Sequence, residues 1–199
     1  MAFRNLLITA FDPFGGETVN PAWEAVKLLP QRIGSCLVHK LQIPTVFGEA
    51  AQAVLTRAEQ LSPDVIVCVG QAGGRSAITP ERVAINLCDA AIRDNRGSQP
   101  QDCCCVDGGP DAYFVTVPVK AMVQAINNAG VAGQVSLSAG SFVCNDTLYR
   151  LLHHYHGTDI QVGFIHVPLL PQQAKNGQPS MELGQMVRGL AAAIEVLGG

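Results

Sequence analysis

Much that would signal a familiar chemistry is missing from this 199-residue chain. There is no C-x-x-C pair. Neither G-x-G-x-x-G nor G-x-x-x-x-G-K-[ST] accompanies Gly15-Gly16, which removes the standard phosphate-loop readings. Ser141 is not framed by a G-x-S-x-G elbow, which counts against an α/β-hydrolase serine. Charge is scarce: 15% of residues are charged and the net charge is -3, with no basic patch interleaved with aromatics, so no nucleic-acid partner is expected. No apolar run approaches the roughly 20 residues of a membrane span. Residues 1–10 lack a signal-peptide pattern and read directly as a strand, so the expected location is the cytoplasm. No repeat, low-complexity tract or linker appears, and residues 1–199 read as a single domain.

What remains is enough to build a core. Hydrophobic residues make up 48% of the chain, too many for a disordered one. Residues 6–10 predict a buried strand, followed by a Gly-rich turn at 14–16. Asn20-Pro21 offers an N-cap and a proline at the first helical position, for a helix to about residue 29. Strands are expected at 36–42 and 65–69, with a helix at 48–60 between them. Residues 82–92 are mixed, and 94–110 read as a loop or hairpin excursion. Further strands are expected at 113–117 and 135–137, around a helix from Pro118 to residue 129. Ser180 is a candidate cap for a last helix to about residue 197. This alternation implies an α/β fold, three layers with a largely parallel central sheet.

Among candidate reactive residues, Cys144 is the most informative. It follows the small stretch Ser138-Ala139-Gly140-Ser141-Phe142-Val143 and opens a helix-like run at 145–156. Unpaired N–H groups and a partial positive charge there favour thiolate, the nucleophilic form. His166 closes the apolar run 162–165. Sites in such sheets gather at the carboxyl ends of strands, and both residues fall after or at the end of an expected strand, as one shared site would require. Taken singly, each has a plain alternative: helix–sheet packing for Cys144, a hydrogen-bonded core histidine for His166. His39 is a poorer base. His153, His154 and His156 crowd a helix end where positive charge is favourable. Glu81 either orients the histidine or forms a surface pair with Arg82 or Arg75.

The seven cysteines are odd in number and lack a secretory context, which argues against a disulfide framework. Cys36, Cys68 and Cys88 lie in or beside apolar runs and read as buried small hydrophobes. Cys103-Cys104-Cys105 is either a loop or strand edge without chemistry, or a redox or metal site. No recognised ligand spacing supports a metal, and no cofactor is expected.

Four segments together resemble one family. Thr9-Ala10-Phe11-Asp12-Pro13-Phe14-Gly15-Gly16 with Val19-Asn20-Pro21 resembles the N-terminal signature of pyroglutamyl peptidase I, also called pyrrolidone carboxyl peptidase. Gly70-Gln71-Ala72-Gly73-Gly74-Arg75 through Glu81-Arg82-Val83-Ala84-Ile85-Asn86 resembles its glutamate segment. Ser138 to Asn145 resembles its cysteine segment, and Phe164-Ile165-His166-Val167-Pro168 its histidine segment. The resemblance implies a cysteine peptidase that removes N-terminal pyroglutamyl residues through a thioester acyl-enzyme. Cys144 would be the nucleophile, His166 base and then acid, and Glu81 the group orienting it. The ring pocket would map to Phe11, Phe14 and Phe142, with Gln71 as a polar contact and Thr45, Ile92 and Val143 as further candidates. The family assembles often as a tetramer, so the expected partners are N-terminally pyroglutamylated peptides and further copies of the chain. One departure stands out. The family usually reads Asp-Ala-Arg-Ile-Pro-Asp-Asn, and its arginine is thought to help hold the oxyanion. Here Ala91 takes the arginine position and Arg93 the proline position. That departure motivates a second reading, a catalytically weakened relative that binds a small cyclic ligand.

Overall fold

The computed structural model describes residues 4–198. Its main sheet has six strands in the order β2-β3-β1-β4-β8-β5. Four of them, β1 (Arg4–Phe11), β3 (Cys36–Ile43), β4 (Val65–Gln71) and β8 (Gln161–Val167), are parallel neighbours. The edges are antiparallel and two residues long: β2 (Arg32–Ile33) on β3 and β5 (Thr79–Pro80) on β8. The central parallel strands β1 and β4 are covered on both faces along most of their length; Leu6, Ile8, Ile66 and Val67 have no exposed surface, whereas β3 carries His39, Lys40 and Gln42 and is only partly buried.

Helices cover the sheet in two groups. α1 (Pro21–Leu28), α3 (Val119–Asn128) and α5 (Leu183–Glu195) pack against one another, while α2 (Glu49–Leu61) packs on α4 (Val143–His154). The chain steps from β1 to β3 through α1, then back past β1 to β4 through α2. Right-handed crossovers in opposite directions require α1 and α2 on opposite faces, which gives the expected three layers. Local chemistry sets the ends. Asn20 caps α1 by accepting from the Ala22 N–H at 3.0 Å, with Pro21 as the first helical residue. Gly15 and Gly16 have φ of 65° and 82°, so the turn after β1 uses the region glycine enters freely.

Several expectations are corrected. Residues 135–137 form no strand; nearby, Gly133 and Ser136 make isolated bridges to Ile78 and Glu81, and Leu137 is exposed. The strand expected at 113–117 is β7 (Ala112–Phe114), which pairs antiparallel with β6 (Val83–Ile85) in a separate ribbon. Ser180 does not cap the last helix; it bridges Leu169, and Glu182 stands at the N-cap. α4 begins at Val143 rather than 145, which puts Cys144 inside its first turn.

The excursion 86–111 is carried by α4. The Asn145 amide donates to Ile85 O at 2.8 Å and Leu87 O at 2.9 Å and accepts from the Ile85 N–H at 3.0 Å. Tyr149 Oη donates to Pro110 O at 2.5 Å. Within the excursion, Asn86 bonds Val106 in both directions at 2.9 Å.

β8 is locked from its other side. A Cβ added at Gly163 would stand 2.4 Å from Val117 Cγ2. Gly163→Ala should therefore destabilise the chain by roughly 1–3 kcal/mol, read as a lower urea midpoint at unchanged slope. An unshifted midpoint would show that residues 115–117 yield freely.

Candidate active site

The sheet brings a histidine and a carboxylate together at its β8 edge. His166 is the penultimate residue of β8, with Gly70 as its register partner on β4 and Thr79 on β5. Glu81 follows β5 directly, its backbone N–H donating to Phe164 O at 2.9 Å. Its carboxylate Oε1 lies 2.7 Å from His166 Nδ1, and both residues are buried. An ionised carboxylate only accepts, so Nδ1 carries the proton and Nε2 is left free as a base. Arg75 Nη1 donates to the same oxygen at 2.7 Å, and its Nη2 reaches Ser138 O at 3.1 Å. Of the two readings of Glu81, the structure therefore favours the histidine contact, and the Arg75 pair joins it in the interior.

Burial alone would raise the Glu81 pKa, but the hydrogen bond and charge of His166, with Arg75 behind, outweigh it and hold the carboxyl below its ordinary value. Burial lowers the His166 pKa, Glu81 opposes this, and Arg75 adds to it; the net direction is down.

Cys144 approaches from the facing helix. Phe142 occupies the N-cap of α4 without a side-chain bond, so the first-turn N–H groups have no intrahelical partner. The sulfur packs on Gly70: a Cβ there would stand 3.1 Å from Cys144 Sγ and 2.9 Å from the Phe164 ring. Cys144 thus sits over the strand position opposite His166, and neighbouring strands are about 4.8 Å apart. One expectation meets an opposing effect at this point. Burial pushes the Cys144 thiol up to about 12, with Glu81 and Cys68 adding to it, against Arg75 and the cysteine's own backbone N–H. Enclosure thus works against the helix start, although the residue keeps some exposed surface.

The aromatic residues form a cluster beside this pair. Phe14 and Phe142 have ring centroids 5.9 Å apart, and Phe47 meets Phe142 edge-on at 5.3 Å. Phe11 lies deeper, buried against Phe164 at 6.2 Å. Val143 is wholly buried. Gln71 ends β4, and its Oε1 is buried without a partner among the described residues. Ile92 lies over Gly15, where an added Cβ would touch its Cδ1 at 3.9 Å. Ala91 is exposed, and Arg93 Nη1 is engaged with Gly97 O at 2.7 Å.

Two contributors were not foreseen. Phe47 gave only the weak signal of an aromatic before a glycine. Asp12 stands in the segment 9–16, and its role appears only in three dimensions. Its Oδ1 accepts from the Thr45 N–H and Thr45 Oγ1, both at 2.7 Å, and from Asn95 Nδ2 at 3.0 Å. One carboxylate thereby joins the loop after β1, the loop after β3 and the excursion.

Comparison with known proteins places the chain in one family. The family whose sequence model matches residues 4–198 is described as Pyroglutamyl peptidase. The chain is 53% identical over 197 residues to the pyrrolidone-carboxylate peptidase of Levilactobacillus brevis, covering 96% of each chain. It is 48% identical over 198 residues to that of Bacillus thuringiensis, covering 97% of this chain and 92% of the relative. Among solved structures, pyroglutamyl peptidase I of Bacillus amyloliquefaciens superposes with a TM-score of 0.92 at 44% identity, covering 97% of this chain and 96% of that one. Pyrrolidone carboxyl peptidase of Thermococcus litoralis gives a TM-score of 0.92 at 34% identity, covering 98% and 93%.

Two predictions follow from the geometry. Gly70→Ala should displace the Cys144 sulfur or the Phe164 ring and lower kcat on the order of a hundredfold, with the fold retained by circular dichroism. Wild-type kcat in a folded variant would dissociate the glycine from the site. For the thiol, the iodoacetamide rate at Cys144, mapped by mass spectrometry, should climb about tenfold per pH unit from 7 to 10. A plateau below pH 8 would mean that the thiolate forms at rest.

Proposed function

The chain belongs to the pyroglutamyl peptidase family, and from that premise we propose how its own residues carry out the family's reaction. The reaction is that of a cysteine-type peptidase removing an N-terminal pyroglutamyl residue. Cys144 Sγ attacks the pyroglutamyl carbonyl carbon while His166 Nε2 takes its proton. The imidazolium forms against the Glu81 carboxylate, which stabilises it and fixes the ring tautomer. Free N–H groups of the first turn of α4 hold the oxyanion. His166 then protonates the leaving amine, and the C–N bond breaks to leave a thioester on Cys144. Water, deprotonated by His166, attacks that thioester and releases pyroglutamate. With Ala91 exposed and Arg93 bound to Gly97 O, this reading gives the oxyanion no arginine and assigns it to backbone donors.

Specificity follows from an uncharged, aromatic site. The pyroglutamyl lactam is small and flat, with one N–H donor and one C=O acceptor. Phe14, Phe142 and Phe47 enclose it, with Phe11, Ile92, Thr45 and Val143 shaping the surroundings. Gln71, with its buried Oε1 unpartnered, reads the lactam amide. A free ammonium buried there would be unpaired, which disfavours an uncyclised N-terminus. Assembly into a homo-oligomer, including the tetramer, and a cytoplasmic location belong to the same proposal. Exposed Phe114 and Leu137 support an association surface, and no described helix is long and apolar enough to cross a membrane.

The observation that carries the mechanism is the buried Glu81–His166 contact beside Cys144. The test is hydrolysis of a pyroglutamyl arylamide. Cys144→Ala should lose on the order of 10⁴-fold or more in kcat, and Glu81→Gln should fall by several powers of ten while still binding substrate. Equal rates in wild type and Cys144→Ala would remove the nucleophile from its role.

A further inference from the structure

The proposed reaction leaves unused two thiols that touch. Cys88 Sγ and Cys105 Sγ are 3.3 Å apart, and both residues are buried. The three consecutive cysteines are therefore not equivalent: Cys103 and Cys104 are exposed, while Cys105 turns inward. Cys103 also fixes the position of Cys88, through backbone hydrogen bonds of 2.7 and 3.0 Å that make an antiparallel bridge.

We propose that Cys88 and Cys105 are an oxidation site, closing to a reversible disulfide that fastens the excursion 86–111 to itself beside the start of α4. Asp146 also approaches, its Oδ1 3.5 Å from Cys88 Sγ, and the trio resembles a metal site. Two features argue against a metal. The Asp146 carboxylate already accepts from Arg150 Nε at 2.7 Å and the Gly48 N–H at 2.8 Å, so a guanidinium would face the ion. Two thiolates on tetrahedral zinc at about 2.3 Å stand about 3.8 Å apart, wider than the pair observed. A disulfide needs the sulfurs to approach to about 2.05 Å, a movement of little more than 1 Å within a loop.

The chemistry requires a small disulfide such as oxidised glutathione as oxidant. Two S–H bonds are lost and one S–S bond forms between Cys88 and Cys105. The S–S bond of the oxidant breaks, and it takes two electrons and two protons to leave as two thiols. The lock lies beside the nucleophile. Cys105 Sγ is 3.8 Å from Asn145 Nδ2, and Asn145 follows Cys144. Asp89, next to Cys88, bonds Ser141 twice, at 3.0 and 2.7 Å.

The test uses the full chain carrying Cys144→Ala, so that the nucleophile itself cannot react. After incubation with oxidised glutathione and alkylation, peptide mapping without reductant should give a Cys88–Cys105 cross-link. Hydrogen exchange across 86–111 should slow at least about tenfold and Tm should rise by several degrees, both reversed by dithiothreitol. Adding Cys88→Ser or, independently, Cys105→Ala should abolish all three effects. Cross-links confined to Cys103 or Cys104, or thiols at 88 and 105 that remain fully alkylatable on unfolding, would overturn the proposal. So would one equivalent of zinc held by the reduced chain and lost in either variant.

Discussion

A carboxylate with no exposed surface stays ionised only while donors reach it, and Glu81 draws its donors to one oxygen, Oε1, leaving Oε2 buried without a hydrogen-bond partner among the described residues. An ion stripped of water costs several kcal/mol, recovered only with good geometry. His166 and Arg75 both point at Glu81 Oε1, each at 2.7 Å. To bring them there, β5 must pair with β8, and the 75–81 segment must fold back along the sheet edge. Arg75 in turn reaches Ser138 O in the segment leading to Cys144. A single buried charge thus ties the strand that carries His166 to the loop that leads to Cys144.

The same enclosure sets the resting state. Cys144 and His166 are both pushed toward their neutral forms, chiefly by loss of water around them. In the proposed mechanism charge appears when the sulfur attacks, and Glu81 is already in place to meet the imidazolium. Preorganised charge of this kind contributes most where water is excluded. The sign also orients stability with pH. The folded pKa values of Glu81 and His166 are both lowered, so each contributes stability that is lost as the medium is acidified, His166 below its ordinary value of 6.5 and Glu81 below 4.5.

How much of this was legible depends on the range of the interaction that decides each feature. Helix α1 was readable because Asn20 and Pro21 settle its start within a few residues. The buried parallel strands were readable because a run such as residues 65–69, apolar on every position, leaves few other uses. Residues 135–137 mislead because Val135-Ser136-Leu137 alternates like a strand while its backbone makes only an isolated bridge, Ser136 to Glu81. β5 was invisible, since two residues carry no period and their pairing is made by β8 some 85 positions away. The family segments named Glu81, Cys144 and His166, yet local spacing had left Glu81 divided between two partners. The thiolate expectation rests on the helix start, a local property, whereas the partial burial that opposes it is set by the surrounding fold. Phe47 and Asp12 were missed for the same reason: their value lies in what three separate loops bring to them.

Asp12 has a consequence for how a substrate is chosen. Three loops that share one carboxylate hold their shape before anything arrives, so little ordering is left for the guest to induce. On the proposed reading, a small flat ring meeting these loops would have little of their order left to induce.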